Sequence, residues 1–174
     1  MLGVLRSFKL LMLVAVFLQI NTAVNGISDD DKQTILTKTQ EVRDEVGFGA
    51  DDVVEWKDSI ADIAQAWANG CSFSHNSDRN VQRKLTTDIV KNLGENIAWG
   101  TSSTVEGLVQ LWANEKDYYT YPDNTCEDGK ECGHYKQLVW KKTYAMGCGT
   151  ATCDGYLYLV CNYEPGVYGT NLPY

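Results

Sequence analysis

The chain has 174 residues, of which 23 are acidic and 15 are basic, so its formal net charge at pH 7 is −8. This acidic balance disfavours binding to nucleic acids and to anionic membrane surfaces, because both select basic patches. The length fits one globular domain with a sizeable core.

The first 26 residues have the features of a signal peptide. Arg6 and Lys9 precede an apolar run from Leu10 to Ile20 that is too short to span a bilayer. Small residues favour cleavage after Gly26, with a cut after Ala23 as the alternative.

Removal of this segment (residues 1–26) leaves one domain, residues 27–174, that is predicted to be secreted. The domain keeps 13 basic residues against 23 acidic ones. Its six cysteines predict three disulfides, for which 15 pairings are possible in principle.

Two amphipathic helices are predicted in the first half of the domain. The first begins after the cap residue Ser28 and stops at Gly47, and the second spans Asp58 to Asn69 and stops at Gly70. Both have residues at helical spacing that share one face and are mostly apolar. These residues are Ile35, Thr39, Val42 and Val46 in the first helix, and Trp56, Ile60, Ile63 and Trp67 in the second.

The segment after the second helix has weaker patterns. Residues 76–88 are polar and are predicted to form a loop with a short helical piece, and Leu93 to Gly100 is predicted to be irregular. Ser103 and Glu106 form a capping box that starts a third helix. The predicted buried side of that helix contains Val105, Leu108, Leu111 and Trp112.

A carboxylate and a tyrosine-rich loop follow the third helix. Glu115 shares the face that is otherwise apolar, so it requires a partner. The next segment, residues 118–132, is named the tyrosine loop, and a disulfide between Cys126 and Cys132 would close it locally. Its tyrosines are Tyr118, Tyr119 and Tyr121.

The segment from Cys132 to Thr143 is predicted to be a strand, because its aromatic and branched residues suit a half-buried pleated surface. This strand would place His134 on one of its faces. The chain has only one other histidine, His75, which closely follows the first cysteine just as His134 follows the third. This arrangement suggests one shared site.

A β-hairpin is predicted near the end of the chain, with Asp154 and Gly155 as a two-residue turn. If these two residues form the turn, Cys148 lies opposite Cys161. That pair falls at a non-hydrogen-bonded position, where the strands approach most closely and a direct disulfide is feasible.

The remaining disulfides follow from this register. Cys153 points to the other face of the hairpin and must pair elsewhere. With Cys126 joined to Cys132, the last disulfide is Cys71 to Cys153, which ties the end of the second helix to the sheet. Helices interspersed with an antiparallel sheet predict an α+β fold built as a layered sandwich.

Four segments carry a specific resemblance: Cys71–Asn76, Gly94–Ala98, Gly133–Trp140 and Tyr158–Pro165. They resemble the CAP superfamily, which comprises the cysteine-rich secretory, antigen 5 and pathogenesis-related 1 proteins, across essentially the whole mature chain. The six-cysteine layout is most similar to the plant-type pathogenesis-related 1 branch. The resemblance implies a three-layer α-β-α sandwich around a central cleft.

The resemblance also implies a site in that cleft, made of two histidines and two glutamates. Imidazole and carboxylate groups together suit Zn²⁺ or another divalent cation, with a solvent position left open. Asn76 and Gln137 belong to the same motifs and are predicted to support the cluster through hydrogen bonds. The four cluster positions are His75, Glu95, Glu115 and His134.

Members of the family bind and export sterols, and some bind fatty acids, so the resemblance implies a binder of small lipids. In sterol-exporting relatives the loop carries spaced aromatics of the caveolin-binding type. Tyr119 and Tyr121 fit the first two positions, but Cys126 stands at the third. Plant relatives release their last segment as a defence-signalling peptide, whereas residues 165–174 here depart from that pattern.

The predicted function is therefore non-enzymatic binding of sterols or fatty acids in the extracellular space. The first alternative is a secreted defence or signalling factor that acts through protein partners. The second is a hydrolase that depends on a metal or on the His and Glu residues. The sequence contains neither a G-x-S-x-G turn nor an H-E-x-x-H helix, which disfavours hydrolysis.

Overall fold

The computed structural model describes residues 26–86, 92–101 and 104–174. The predicted signal peptide lies outside these ranges except for Gly26. No helix within them is both long enough and apolar enough to cross a membrane.

The described residues form helices and strands that are interspersed along the chain. In order, they are α1 (Asp29–Asp44), β1 (Glu55–Trp56), α2 (Asp58–Asn69), α3 (Arg79–Thr86), β2 (Gly94–Gly100), α4 (Val105–Asn114), a 3-10 turn (Glu115–Tyr118), β3 (Tyr119–Thr120), β4 (Thr125–Cys126), α5 (Gly133–Leu138), β5 (Ala145–Cys153) and β6 (Tyr156–Glu164).

The main sheet has four strands in the order β1-β5-β6-β2. The β5–β6 hairpin is antiparallel, as predicted, and β2 also pairs antiparallel with β6, whereas β1 runs parallel to β5. Strand β2 therefore forms one edge of the sheet, and the candidate site lies along that edge.

Helices cover both faces of the sheet and confirm the three-layer α-β-α sandwich. Helix α2 lies directly on β5, since a Cβ atom at Gly147 would come within 2.3 Å of Ala61 N. Glycine at this position permits the close approach of helix and sheet. On the opposite face, α1, α4 and α5 bury a larger core that includes Leu159 and Tyr163 of β6.

The predictions based on local signals are confirmed. Helix α2 has the predicted bounds, with Gly70 as its C-cap. Cys148 lies opposite Cys161 in the hairpin. All three predicted disulfides are present: Cys71–Cys153, Cys126–Cys132 and Cys148–Cys161.

The predicted strand from Cys132 to Thr143 is wrong, because helix α5 occupies residues 133–138. Two distant residues stabilise this helix. The Glu115 carboxylate accepts hydrogen bonds from the first backbone N–H groups, and Arg43 donates to the carbonyl oxygens of Leu138 (3.1 Å) and Trp140 (3.0 Å). Helix ends leave such groups unpaired, so these contacts favour a helix over a strand.

The prediction of an irregular segment from Leu93 to Gly100 is also wrong, because β2 pairs with β6 from Gly94 opposite Tyr163 to Gly100 opposite Leu157. Its two glycines, asparagine and alanine have low strand propensity. The pairing with β6 overrides that local preference.

Several element boundaries differ from the predictions. Helix α1 ends at Asp44, before the predicted stop, and Trp56 lies in β1 instead of α2. Helix α3 is the short helical piece expected within residues 76–88. The predicted cap Ser103 lies outside the described residues, and Thr104 caps α4 by accepting from Gly107 N.

The prediction that Leu111 is buried is wrong, because its side chain is 50% exposed. The buried stripe of α4 is already complete without it. That stripe consists of Val105, Leu108, Val109, Trp112 and Ala113.

Candidate functional site

Two adjoining grooves run along the outer edge of β2. The first, named the polar groove, has a volume of about 280 Å³ and is lined by His75, Arg79, Leu93, Gly94, Glu95, Asn96, Glu131, Gly133, His134, Gln137 and Val167. The second, named the apolar groove, has a volume of about 230 Å³ and is lined by Ile97, Ala98, Trp99, Leu111, Trp112, Glu115 and His134. His134 lines both, so the two grooves adjoin at this residue.

The first His–Glu pair joins the segment after α2 to β2. The Glu95 side chain is fully buried, whereas the side chain of His75 is 60% exposed. Glu95 Oε1 accepts hydrogen bonds from His75 Nδ1 (2.8 Å) and from Asn76 N (2.8 Å). Its other oxygen accepts from Asn162 Nδ2 at 3.1 Å. The carboxylate is thus held from three sides and orients the imidazole.

The second pair joins the end of α4 to the start of α5. Glu115 Oε1 lies 2.5 Å from His134 Nδ1, and Oε2 accepts from His134 N (2.9 Å) and Tyr135 N (3.1 Å). The carboxylate that was predicted to need a partner therefore caps α5, which places a negative charge at a helix N-terminus. The His134 ring also stacks on Trp112, with 6.2 Å between ring centroids.

Both imidazoles use Nδ1 for a carboxylate, and in the described parts of the chain Nε2 of neither ring has a hydrogen-bond partner. Metal-ligating histidines commonly have this arrangement, in which a carboxylate fixes the ring and the other nitrogen is the ligand.

Within residues 26–86, 92–101 and 104–174, no group of three or more His, Cys, Asp or Glu side chains could hold a metal ion. His75 and His134 both line the polar groove, so Nε2 of each ring is a candidate ligand, and Glu95 and Glu115 orient the rings through Nδ1. Metal binding by the four residues stays a prediction.

The two predicted supporting residues have different roles. Asn76 contacts the first pair through its backbone, while its side chain donates to Gln82 Oε1 at 3.0 Å. Gln137 donates to Thr143 Oγ1 (3.1 Å) and accepts from Val167 N (2.9 Å). Gln137 therefore fixes the C-terminal tail, residues 165–174, as one wall of the polar groove.

The tail also approaches β2 where two glycines meet. A Cβ atom at Gly94 would lie 1.9 Å from Gln137 Oε1 and 2.8 Å from Gly166 Cα, and one at Gly166 would lie 2.2 Å from Gly94 N. Only residues without a side chain allow this approach. The width of the polar groove therefore depends on both positions.

The tyrosine loop is fastened to the rest of the protein. Tyr119 packs against Tyr135, with 5.8 Å between ring centroids, and Tyr121 stacks on Tyr174 at 4.5 Å. The Tyr121 hydroxyl donates to Tyr174 O, and Asn124 Nδ2 donates to backbone oxygens of the tail. Burial raises the pKa of the Tyr119 and Tyr135 hydroxyls.

Trp99 and Leu111 are the site residues that sequence reasoning missed. Trp99 is 51% exposed and Leu111 is 50% exposed, and both line the apolar groove. The sequence contains one signal for Leu111, because this apolar residue lies beyond the stripe that α4 needs for packing. The sequence gives no such signal for Trp99, because the segment that contains it is predicted to be irregular.

The geometry defines a class of protein: a disulfide-bonded α-β-α sandwich with two His–Glu pairs along one edge of its sheet. A family model described as CAP, the cysteine-rich secretory protein family, matches residues 42–163. The match covers more than half of the chain, and the chain belongs to this family.

Relatives from distant organisms are similar over most of the chain. Pathogenesis-related protein 1C of Nicotiana tabacum is 32% identical over 168 residues, which span 92% of this chain and 89% of the relative. Venom allergen 5.02 of Dolichovespula maculata is 32% identical over 170 residues, with coverage of 82% and 74%. The structure of Schistosoma mansoni venom allergen-like protein 4 has a TM-score of 0.67 at 27% identity, with coverage of 85% and 95%.

Proposed function

We propose that the protein acts outside the cell by binding a small neutral lipid, with sterols as the leading class, in the apolar groove. Three disulfides in the described chain and membership of a secretory protein family support an extracellular location.

The exposure of Trp99 and Leu111 is the observation that carries this proposal. Each is a large apolar side chain, each is about half exposed, and both line one groove. Exposed apolar residues that converge on a concave surface are typical of ligand sites. Trp112, which is almost fully buried, also lines this groove.

The polar end of the groove favours a neutral head group. His134 and Glu115 lie there, and Nε2 of the imidazole can form a hydrogen bond with a hydroxyl. A fatty-acid carboxylate would meet the Glu115 carboxylate on a chain with a net charge of −8. A sterol, which combines an apolar body with one hydroxyl, avoids that repulsion.

The fastened tyrosine loop is less suited to admit a lipid. A ligand entering beneath Tyr119 or Tyr121 would have to displace the tail and work against the Cys126–Cys132 disulfide. The predicted lipid-binding role of this loop stays a prediction, and the proposal places the ligand at the β2 edge instead.

The composition of the polar groove disfavours one kind of enzyme. Among the described residues that line it, there is no serine, threonine or cysteine, so covalent catalysis by a hydroxyl or thiol has no candidate residue there.

The test is saturable uptake of labelled cholesterol and labelled palmitate by the purified secreted protein. We expect cholesterol binding, weaker palmitate binding, and a loss of cholesterol affinity of about tenfold for Trp99→Thr or Leu111→Gln. Val53→Ala is a control for general surface hydrophobicity, because Val53 is 52% exposed away from the groove. Tyr121→Ala tests the tyrosine loop directly.

Two outcomes would contradict the proposal. Loss of cholesterol uptake in Tyr121→Ala, with normal uptake in Trp99→Thr, would move the site to the tyrosine loop. An absence of saturable uptake of either lipid would instead favour a factor that acts through protein partners.

A further inference from the structure

Three aromatic rings form a continuous exposed surface beside the apolar groove. This aromatic surface consists of Phe73, Trp99 and Tyr156, which are 47%, 51% and 37% exposed. The Trp99 ring centroid lies 4.9 Å from that of Phe73 and 5.7 Å from that of Tyr156. Trp99 also lines the apolar groove, so the two features share one side chain.

The base of this surface is rigid. Tyr158 is buried beneath it and meets Phe73 edge to face at 5.0 Å. The Tyr158 hydroxyl donates to Ser72 O at 2.5 Å, and the disulfide Cys71–Cys153 fixes the adjoining backbone. The rings are therefore held in place at the surface without needing to rearrange on contact with a partner.

The net charge of the chain bears on the partner, because the formal value of −8 disfavours an anionic membrane. In the described part of the chain, no lysine or arginine lies over a ring of the aromatic surface, since the cation–ring contacts there involve Trp56, Phe48, Tyr118 and Tyr168. Trp and Tyr rings are suited to the interface of a neutral bilayer, where an apolar body and a polar tip are both accommodated.

We infer that the aromatic surface docks on a neutral, zwitterionic lipid interface and that Trp99 links this interface to the apolar groove. The inference rests on the proposed function for the identity of the transferred ligand, but docking itself requires only the three rings. A sterol is poorly soluble in water, and a groove that opens beside a docking surface can take it directly from a bilayer.

The test is flotation of the purified secreted protein with vesicles of phosphatidylcholine alone and with vesicles that also contain phosphatidylserine. We expect binding to the neutral vesicles, no gain from phosphatidylserine, and a reduction in partitioning of about tenfold for the double variant Phe73→Ser/Tyr156→Ser. Val53→Ser/Val81→Ser is the matched control, because these two apolar residues are 52% and 61% exposed and lie outside both the aromatic surface and the tyrosine loop. Thermal unfolding of each variant verifies that it is folded.

A second measurement separates this inference from the proposed function. Neither Phe73 nor Tyr156 lines the apolar groove, so the double variant should still take up cholesterol delivered from cyclodextrin. If the wild type binds vesicles but takes up no cholesterol from cyclodextrin, the proposed function fails while docking stands.

Three results would overturn the inference itself. They are an absence of binding of the wild type to phosphatidylcholine, equal binding by a folded double variant, and a wild-type dimer in solution that the double variant abolishes. The last result would assign the surface to a second copy of the chain.

Discussion

Two regions of the molecule contain the same kinds of residues but differ in what covers them. Each contains a disulfide, a histidine shortly after one of its cysteines, a glutamate that orients this histidine, and a group of aromatic rings. The first region contains Cys71–Cys153, His75, Glu95 and the aromatic surface. The second contains Cys126–Cys132, His134, Glu115 and the tyrosine loop.

The regions differ in what covers their rings. The tail stacks Tyr174 on Tyr121 and hydrogen-bonds to Asn124, so the second region is fastened. In the first region, Phe73 and Trp99 extend into solvent over a rigid base. Similar residue content thus gives a covered group of rings in one place and an exposed group of rings in the other.

Removal of each disulfide should produce the largest difference between the regions. Cys71→Ala/Cys153→Ala opens a loop with a sequence separation of 82 residues, and Cys126→Ala/Cys132→Ala opens one of 6. Loop-closure entropy predicts losses of unfolding free energy of about 4 and about 2 kcal/mol, respectively. Urea denaturation measures both, and equal losses would show that loop length does not govern the difference.

The two glutamates should also differ. Glu95→Ala leaves Asn76 N and Asn162 Nδ2 without their acceptor in a buried site, for an expected loss of about 3 kcal/mol. Glu115→Ala also frees two backbone N–H groups, but the site is partly open to water and the loss should be about 2 kcal/mol. Chemical denaturation at pH 7 tests the order, and a larger loss for Glu115→Ala would contradict it.

Zinc binding would connect the two regions through their imidazoles. We expect His75→Ala and His134→Ala each to lower Zn²⁺ affinity about tenfold in titration calorimetry, because each removes one of two ligands. Gln65→Ala, a change in α2 away from both grooves, is the control. Unchanged affinity in both histidine variants would place bound zinc elsewhere.

The buried phenol beneath the aromatic surface gives a pH signature. Burial raises the pKa of Tyr158 to about 12, above the ordinary value of about 10. The neutral form is therefore favoured in the folded state, and its stabilising contribution is complete below pH 10 and lost between pH 10 and 12.

Tyr158→Phe should cost about 1 kcal/mol at pH 7 through the lost hydrogen bond to Ser72 O. Urea unfolding as a function of pH should show the difference between wild type and variant narrowing above pH 10. A constant difference up to pH 12 would show that Tyr158 does not contribute to alkaline destabilisation.

The smallest effect is expected in the tyrosine loop. Tyr121→Phe removes the exposed hydrogen bond to Tyr174 O but keeps the ring stack, so the loss of stability should stay below about 0.5 kcal/mol. Limited proteolysis of the tail is a more sensitive readout. Rapid cleavage in Tyr121→Phe would show that this hydroxyl, and not the ring stack, fastens the loop.

Features encoded by neighbouring residues could be predicted from the sequence. Helix α2 has its apolar repeat and Gly70 within one segment, and the Asp154-Gly155 turn sets the register that pairs Cys148 with Cys161. His75, Glu95 and His134 could be identified because they lie in family motifs, and Glu115 because it is a carboxylate on an otherwise apolar helix face at a position that matches the family's second glutamate. Their division into two His–Glu pairs could not, since it depends on how α4, α5 and β2 pack.

Features that depend on distant contacts could not be predicted. Helix α5 is capped by Glu115, which lies 19 residues before His134 in the chain. The aromatic and branched residues of this segment favour a strand, so the sequence around His134 does not indicate the cap. Strand β2 needs β6 as its partner. Because the sequence predicts an irregular segment where β2 lies, neither the edge of the sheet nor the position of Trp99 beside the apolar groove could be predicted.

The contact between Gly94 and Gly166 ties the position of the C-terminal tail to the width of the polar groove. A larger residue at either position would push the tail away from β2 and shift the wall that carries Val167, while both histidines and both glutamates of the cluster are kept in the sequence. Engineering at this backbone crossing could therefore retune which molecules the groove admits while leaving its chemistry intact.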